Sequence, residues 1–136
     1  MSILDVNLKD KIDVKTLPDD EEVQLIIKQA DVNPKKDDPS RFNLALIFDV
    51  AGDPSVDDIR VWLAVPNEAL QSADPKRHAK ACDRLQTFAD CFELDLSGPF
   101  DTDDMISQEG WCVLGEGEND LTGEPQNYIK RYIVRK

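Results

Sequence analysis

The chain has few of the residues on which most enzymes, metalloproteins and membrane proteins depend. It has one histidine and no visible pairing of a nucleophile with a base, so the sequence predicts a protein that is not an enzyme and needs no cofactor. No apolar run reaches about 18 residues, so no membrane-spanning helix is expected. The three cysteines, an odd and small number, indicate reduced thiols in the cytoplasm instead of a disulfide framework.

The N-terminal sequence MSILDVNLKDKIDV also lacks a long apolar stretch and a cleavage-like site, so no secretory signal is expected. A chain of 136 residues can bury roughly two-thirds of the surface that its unfolded form exposes, enough for one hydrophobic core. We interpret residues 1–17 as an N-terminal arm or leader and residues 18–136 as a single domain.

Positive charge is scarce as well. The 16 basic residues are outnumbered by 28 acidic ones, and the net charge of −12 argues against broad attraction to a polyanion. The distribution is uneven, however, because Lys35, Lys36 and Arg41 lie close together and the chain ends on basic residues. A local basic groove on an acidic protein is compatible with this pattern, since acidic surface elsewhere can disfavour the wrong ligand.

What the sequence does contain is a characteristic order of segments. Period-two alternation of apolar residues predicts five strands, at 22–32, 41–51, 58–66, 110–115 and 127–136. Phe42 and Phe48 are expected in the core. Three strands, one helix and two further strands is the element order of the OB-fold. The sequence therefore predicts an all-β domain with one helix: a five-stranded antiparallel OB-fold barrel with the helix between strands 3 and 4.

The predicted helix covers approximately residues 74–93. Asp74 is a plausible N-cap and Pro75 suits the first turn. Apolar residues follow at helical spacing and should pack against the barrel; they are Cys82, Leu85, Ala89 and Phe92, widened by Phe88 and Cys91. The Ser97-Gly98-Pro99 sequence ends the segment.

Three short motifs resemble ligand sites but are incomplete. His78 and Cys82 are one helical turn apart and Cys91 follows, yet no CxxC pair supplies the remaining zinc ligands. The aspartates of FDTDDMI resemble a calcium loop, but Met105 occupies the next ligand position. Gly115-Glu116-Gly117 lacks the further glycine and helix of a dinucleotide site. No metal site is expected.

Several stretches carry a resemblance to a known family. The stretch WLAVPNEALQSADPKRHAKACDRLQTFADCFELDLSG resembles the strand–proline–helix core of phage and prophage single-stranded-DNA-binding proteins. GWCVLGEGENDLTGEPQNYIKRYIVRK is similar to their closing hairpin, and LPDDEEVQLIIKQADV to their opening strand. Together these stretches fall within residues 17–136.

The resemblance implies an OB-fold protein that coats single strands during phage DNA replication and recombination, in the cytoplasm of an infected bacterium. It implies single-stranded DNA as the ligand, with replication or recombination proteins as further partners. Several relatives end on an acidic tail whereas this chain ends on basic residues, so recruitment through such a tail is not carried over. The sequence leaves the oligomeric state open, a homodimer included.

The residues themselves suggest where such a ligand would bind. Non-specific single-strand binders combine a positive groove with aromatic rings on which bases stack, and an OB-fold presents its groove on strands 2 and 3 and the flanking loops. Those places hold the 115–126 loop and five candidate residues: Lys35, Lys36, Arg41, Arg60 and Trp62. Trp62 is out of phase with its core neighbours, so it either faces outward as a stacking platform or packs beneath the helix.

The last strand supplies a second group of candidates. Tyr128, Lys130 and Tyr132 share one face if the strand is regular, while Ile129 and Ile133 form the core pair on the other. The outer face would then be a basic-aromatic stripe for bases and phosphates. Alternatively, the two tyrosines fill the mouth of the barrel with their hydroxyls reaching solvent.

Two functions from different classes remain at this point. The first is a non-sequence-specific single-stranded-DNA-binding protein, favoured by the element order, by Arg60 and Trp62, and by the basic-aromatic last strand. The second is an acidic OB-like module that binds another protein or mimics nucleic acid with its carboxylates, favoured by the charge of −12.

Overall fold

The structure is a computed structural model that describes residues 2–5 and 14–134. Its strands are β1 (Glu21–Pro34), β2 (Phe42–Val50), β3 (Ile59–Ala64), β4 (Glu109–Glu118) and β5 (Pro125–Tyr132). Between β3 and β4 lie α1 (Glu68–Ala73), α2 (Pro75–Cys91) and a short 3-10 helix (Thr102–Met105). All five predicted strands and the main helix are present, and α1 was not predicted.

The strands form one antiparallel sheet in the order β3-β2-β1-β4-β5. The two end strands, β3 and β5, approach each other, so the sheet curls into a nearly closed barrel. With the main helix between β3 and β4, this arrangement confirms the predicted fold as OB-like. No helix within the described residues is long and apolar enough to cross a membrane.

Aromatic rings fill the barrel core beneath α2. Phe48 of β2, Phe88 of α2 and Phe92, which directly follows α2, are fully buried, with ring centroids 5.1–6.4 Å apart. The prediction for Phe48 is therefore confirmed. The prediction for Phe42 is wrong: it begins β2 opposite Pro34 and is 36 % exposed. At the end of a strand the period-two pattern continues, but there is no further core layer to cover the ring.

The helix begins as predicted. The Asp74 carboxylate accepts a hydrogen bond from the Arg77 N–H at 3.1 Å, and Pro75 occupies the first turn. Ala89 and Phe92 are buried and Leu85 packs against the core. The core position predicted for Cys82 is wrong, since this residue is exposed and Ala81 is buried instead. In this part of α2, Ala81 lies on the side of the helix that faces the barrel.

A bulge in β5 changes the faces of the last strand. Arg131 lies opposite Val113 and Ile129 opposite Leu114, so Lys130 is an extra residue without a partner position. One inserted residue moves all later side chains to the opposite face. Tyr132 consequently points inward, where its ring packs edge-on against Phe88 and Phe92 at 6.0 and 6.5 Å. The predicted outer stripe of Tyr128, Lys130 and Tyr132 is therefore not formed.

The residues just before β1 are attached to the barrel. Lys15 forms a parallel bridge with Val56. The buried Asn127 side chain accepts from the Leu17 N–H at 2.8 Å, and its amide donates to the carbonyls of Leu17 at 2.9 Å and Gly115 at 3.1 Å. One asparagine thus joins this segment to β4 and β5. Of the proposed arm, residue 1 and residues 6–13 lie outside the described residues.

Candidate nucleic-acid interface

A groove runs between the outer edge of β3 and the N-terminal half of α2, which we call the β3–α2 groove. Its cavity volume is about 430 Å³. β3 contributes Trp62, Leu63 and Ala64 to the lining. Most of the opposite wall is basic: Lys76, Arg77, Lys80 and Arg84 of α2 line it together with Asp74 and Ala81.

Helical spacing brings the four cations together. Residues three, four and seven apart lie on one face of a helix, so these side chains form a single row. All four are exposed, and none forms an ion pair with a carboxylate within residues 2–5 and 14–134. The row is a local positive surface on a protein with a net charge of −12.

Two cations of this row lie at the start of the helix. The N-terminus of a helix carries a partial positive charge, which favours acidic side chains and disfavours basic ones. The first turn of α2 nevertheless contains Lys76 and Arg77 and no acidic residue. Their charges are unfavourable to the helix end, and the Asp74 carboxylate at the N-cap, which also lines the groove, offsets part of the positive potential there.

Trp62 forms the outer wall of the groove. Its side chain is 63 % exposed, so it does not pack beneath the helix. It lies across from Ala45 of β2, with Ala64 two residues further along the same strand face. Because both neighbours are small, a large part of the indole ring remains accessible to a stacked base.

Within the described residues, the outer edge of β3 also has free backbone groups. The Val65 N–H donates to the Phe42 carbonyl at 2.9 Å, which fixes the hydrogen-bonding register of β3 with β2. Alternate residues of an antiparallel strand direct their N–H and C=O groups to opposite sides. Trp62 and Ala64 therefore present these groups at the edge of β3 that is turned away from β2.

The loop between β1 and β2 meets one end of the groove. Lys35, Arg41, Phe42 and Arg77 line a small cavity over Leu70 of α1, and Arg77 also lines the groove. The Lys35 N–H donates to the Arg41 carbonyl at 2.9 Å, which holds the loop ends together.

The charges in this loop are partly balanced. The Asp38 carboxylate is 3.7 Å from the Arg41 guanidinium. Hydrogen bonds from Ser40 to the Asp38 carboxylate lower its pKa, and the charges of Arg41 and Lys35 lower it further. Lys36 is exposed in the same loop and lines neither cavity.

The other end of the outer sheet face is dominated by carboxylates. Arg60 follows Asp58, and the Lys28 ammonium lies 3.2 Å from Asp58 and 3.9 Å from Asp49. A hydrogen bond shared by the two carboxyl groups raises the pKa of Asp49. Arg60 is exposed on the same strand face as Trp62, and the Asp58 carboxylate lies close enough to feel its charge.

The candidates on β5 lie outside the β3–α2 groove. The Lys130 ammonium is 2.6 Å from Asp20 and 3.3 Å from Asp19, and these two carboxylates raise its pKa. The Tyr128 ring covers the backbone of Gly115, its cross-strand partner, where it occupies the space of a Cβ atom. The loop after β4, residues 119–124, contains Asp120 and Glu124 and no basic residue.

The structure thus divides the predicted site. Trp62 lines the β3–α2 groove, Lys35 and Arg41 line the small cavity at its end, and Arg60 is on the same strand face as Trp62. Lys36 lies nearby in the loop, whereas Tyr128 and Lys130 are elsewhere and Tyr132 is inward. The sequence interpretation missed the four cations of α2, although their i, i+4 spacing in PKRHAKACDR and their place at a helix N-terminus were readable signals.

Comparison with known proteins adds no identification. The sequence matches no family model, and no curated protein is significantly similar to it. Within the described residues, no group of three or more His, Cys, Asp and Glu side chains is placed to hold a metal ion. His78 and Cys82 do meet, with the thiol 3.9 Å from the imidazole nitrogens, while Cys91 is buried beside β4. The functional inference therefore depends on the β3–α2 groove.

Proposed function

We propose that this protein binds single-stranded DNA without sequence specificity and coats single strands, in the manner required by phage-type replication and recombination. The observation that carries the proposal is the β3–α2 groove, where an exposed indole lies opposite a row of cations that have no carboxylate partner among the described residues. Single-strand binders need these two elements together, a basic track for the backbone and an aromatic surface for the bases.

The two walls of the groove have different tasks in this proposal. Phosphates bind along the row of cations on α2. A base stacks on Trp62, a contact that contributes about 1–3 kcal/mol. The backbone N–H groups of Trp62 and Ala64 supply additional donors at the β3 edge. None of these contacts reads a base edge, so affinity for different sequences should be similar.

The acidic remainder of the protein gives the site its preference for single strands. Stacking requires an exposed base face, which a duplex hides. A duplex would therefore have only the phosphate contacts, while the net charge of −12 repels it from every other side. A single strand can make both the phosphate contacts and the stacking contact.

The direct test is an anisotropy titration with a labelled oligonucleotide, as a single strand and as a duplex, at several salt concentrations. We expect tighter single-strand binding and a log–log salt slope no steeper than about −3, because at most four cations of α2 meet phosphates. Equal affinity for the duplex, or no binding at low salt, would refute the proposal.

A charge-reversal pair locates the site. Lys80→Glu reverses one charge inside the groove, and Arg131→Glu makes the same change on exposed β5, outside it. We expect Lys80→Glu to weaken binding strongly and Arg131→Glu to weaken it only slightly. Equal losses in the two variants would show that the groove is not the binding site.

A second candidate function is favoured by the opposite charge. Carboxylates are frequent in the turn before β1, at the start of β1 and at the end of β4: Asp19, Asp20, Glu21, Glu22, Glu116 and Glu118. An acidic face of this kind suits a basic protein partner, or mimicry of nucleic acid. Failure to bind any oligonucleotide, together with binding to a basic protein, would favour this alternative.

A further inference from the structure

The two end strands of the sheet do not close completely, and a pocket occupies the gap. Its volume is about 370 Å³. Val61 and Leu63 of β3 face Ile129 and Tyr132 of β5 across it, and α2 contributes the remaining wall. We call this cavity the seam pocket. It has the size and the mainly apolar lining of a small-molecule site.

The seam pocket is continuous with the β3–α2 groove. Leu63 and Arg84 line both cavities. A strand whose phosphates follow the cations of α2 would therefore pass the mouth of the seam pocket at Arg84. The apolar walls suit a flat, weakly polar group, and a base turned inward from that strand is the one such group within reach.

We propose that the seam pocket receives one base of the bound strand and favours guanine. This inference rests on the proposed function, since it requires a single strand in the adjoining groove. It adds a local base preference to a protein whose groove contacts are indifferent to sequence.

The preference follows from the polar groups that α2 places around the pocket. Asp83 and Arg84 both line the pocket, and Asp83 forms no ion pair with any described residue. The Watson–Crick edge of guanine carries two neighbouring donors, N1–H and the N2 amino group, beside the O6 acceptor. A carboxylate can accept from both donors while a guanidinium donates to O6.

Thymine lacks this complementarity. It has one donor, N3–H, between two carbonyl oxygens that a carboxylate would repel. The other pocket groups do not discriminate in the same way: the Thr87 hydroxyl already donates to the Asp83 carbonyl at 2.9 Å. The Tyr132 hydroxyl has no hydrogen-bond partner among the described residues, so it remains available to a bound base.

The test compares an all-thymine oligonucleotide with the same oligonucleotide carrying guanines at intervals. For the unmodified protein we expect guanine to increase affinity about fivefold or more, the lower range for a bidentate contact to a base. Asp83→Asn should abolish this preference while binding of the all-thymine strand persists.

Asp90→Asn is the matched control. It removes the same charge from the same helix, but Asp90 lies outside the seam pocket and accepts from the Gln86 amide at 2.7 Å. This variant should retain the guanine preference. Equal affinity for both oligonucleotides, or a preference that survives Asp83→Asn, would overturn the seam-pocket proposal and leave the groove proposal standing. Absence of binding to either oligonucleotide would overturn both.

Discussion

The β3–α2 groove and the outer face of β5 contain the same types of residue in opposite circumstances. Lys80 in the groove has no carboxylate partner among the described residues, whereas Lys130 on β5 is held by Asp19 and Asp20. Both lysines are exposed. A phosphate approaching Lys130 would have to displace two carboxylates that repel it, whereas a phosphate approaching Lys80 would meet no such competitor within ion-pair distance in the described part of the chain.

The aromatic residues of the two regions differ in the same way. Trp62 is 63 % exposed beside the groove, while Tyr132 turns inward against Phe88 and Phe92. Tyr128 stays outside but lies over Gly115. An aromatic residue in the sequence is therefore not enough to identify a stacking platform. The ring must also be left uncovered by the neighbouring residues of the fold.

The largest difference between the regions should appear in stability. Tyr132→Ala removes a ring from the barrel core and should lower the free energy of unfolding by about 3 kcal/mol, at the lower end for buried aromatic residues. Urea unfolding measures this change. Tyr132→Phe is the control and should unfold at nearly the same urea concentration, because the lost hydroxyl has no partner among the described residues. A small effect of Tyr132→Ala would place the ring outside the core.

Trp62→Ala should have the reverse profile. Single-strand affinity should fall by about 1–3 kcal/mol through loss of stacking, while the free energy of unfolding changes by less than about 0.5 kcal/mol, as at other exposed positions. Anisotropy titration and urea unfolding of the same preparation give both values. Trp62→Phe should retain part of the affinity. Unfolding of Trp62→Ala without loss of affinity would contradict this assignment.

Removing cations of the groove should change the salt dependence of single-strand binding, whereas removing cations that are paired with carboxylates should not. Arg77→Ala/Lys80→Ala should reduce the salt slope for single-strand binding by about 1.4, since each phosphate contact contributes about 0.7. The same variant should be slightly more stable, because it removes positive charge from a helix N-terminus. The double variant Lys28→Ala/Lys130→Ala removes equal charge from paired lysines and should leave the slope unchanged. If the salt slope falls equally in the two double variants, paired and unpaired cations contribute alike to binding and the assignment is wrong.

The smallest effect concerns Tyr128. A Cβ atom on Gly115 would meet the Tyr128 ring, so Gly115→Ala should displace that ring and cost about 1 kcal/mol of stability. In Gly115→Ala/Tyr128→Ala the clash is absent and much of the loss should be recovered. Single-strand affinity should be unaffected in both variants. A marked loss of affinity would return Tyr128 to the binding site.

Much of the barrel could be read from the sequence, because each strand carries its own alternation. β2 shows this most clearly: Leu44, Leu46, Phe48 and Val50 are buried and the residues between them are not. The start of α2 was equally local, since Asp74 and Pro75 form the cap within four residues of chain. Errors occurred where burial depends on what lies beyond the element, as for Phe42 and Cys82.

The candidate site was only half accessible to such reasoning. Trp62 was found because strand alternation set it apart from Val61 and Leu63. The row on α2 was overlooked because exposed cations on a helix ordinarily indicate nothing more than a solvated face. Their significance depends on β3 lying opposite, which only the assembled fold shows.

The sequence alone therefore determined the order of elements, the strand faces and the helix start, because these depend on neighbours within a few residues. Tertiary structure decided which candidates share a surface. The extra residue at Lys130 moves Tyr132 inward because β5 must keep its register with β4. Asp19 and Asp20 neutralise Lys130 across about 110 positions of chain, and the fold brings the edge of β3 to the cations of α2. Which charges form ion pairs and which rings are buried depends on residues far apart in the sequence. These contacts exist only in the folded barrel.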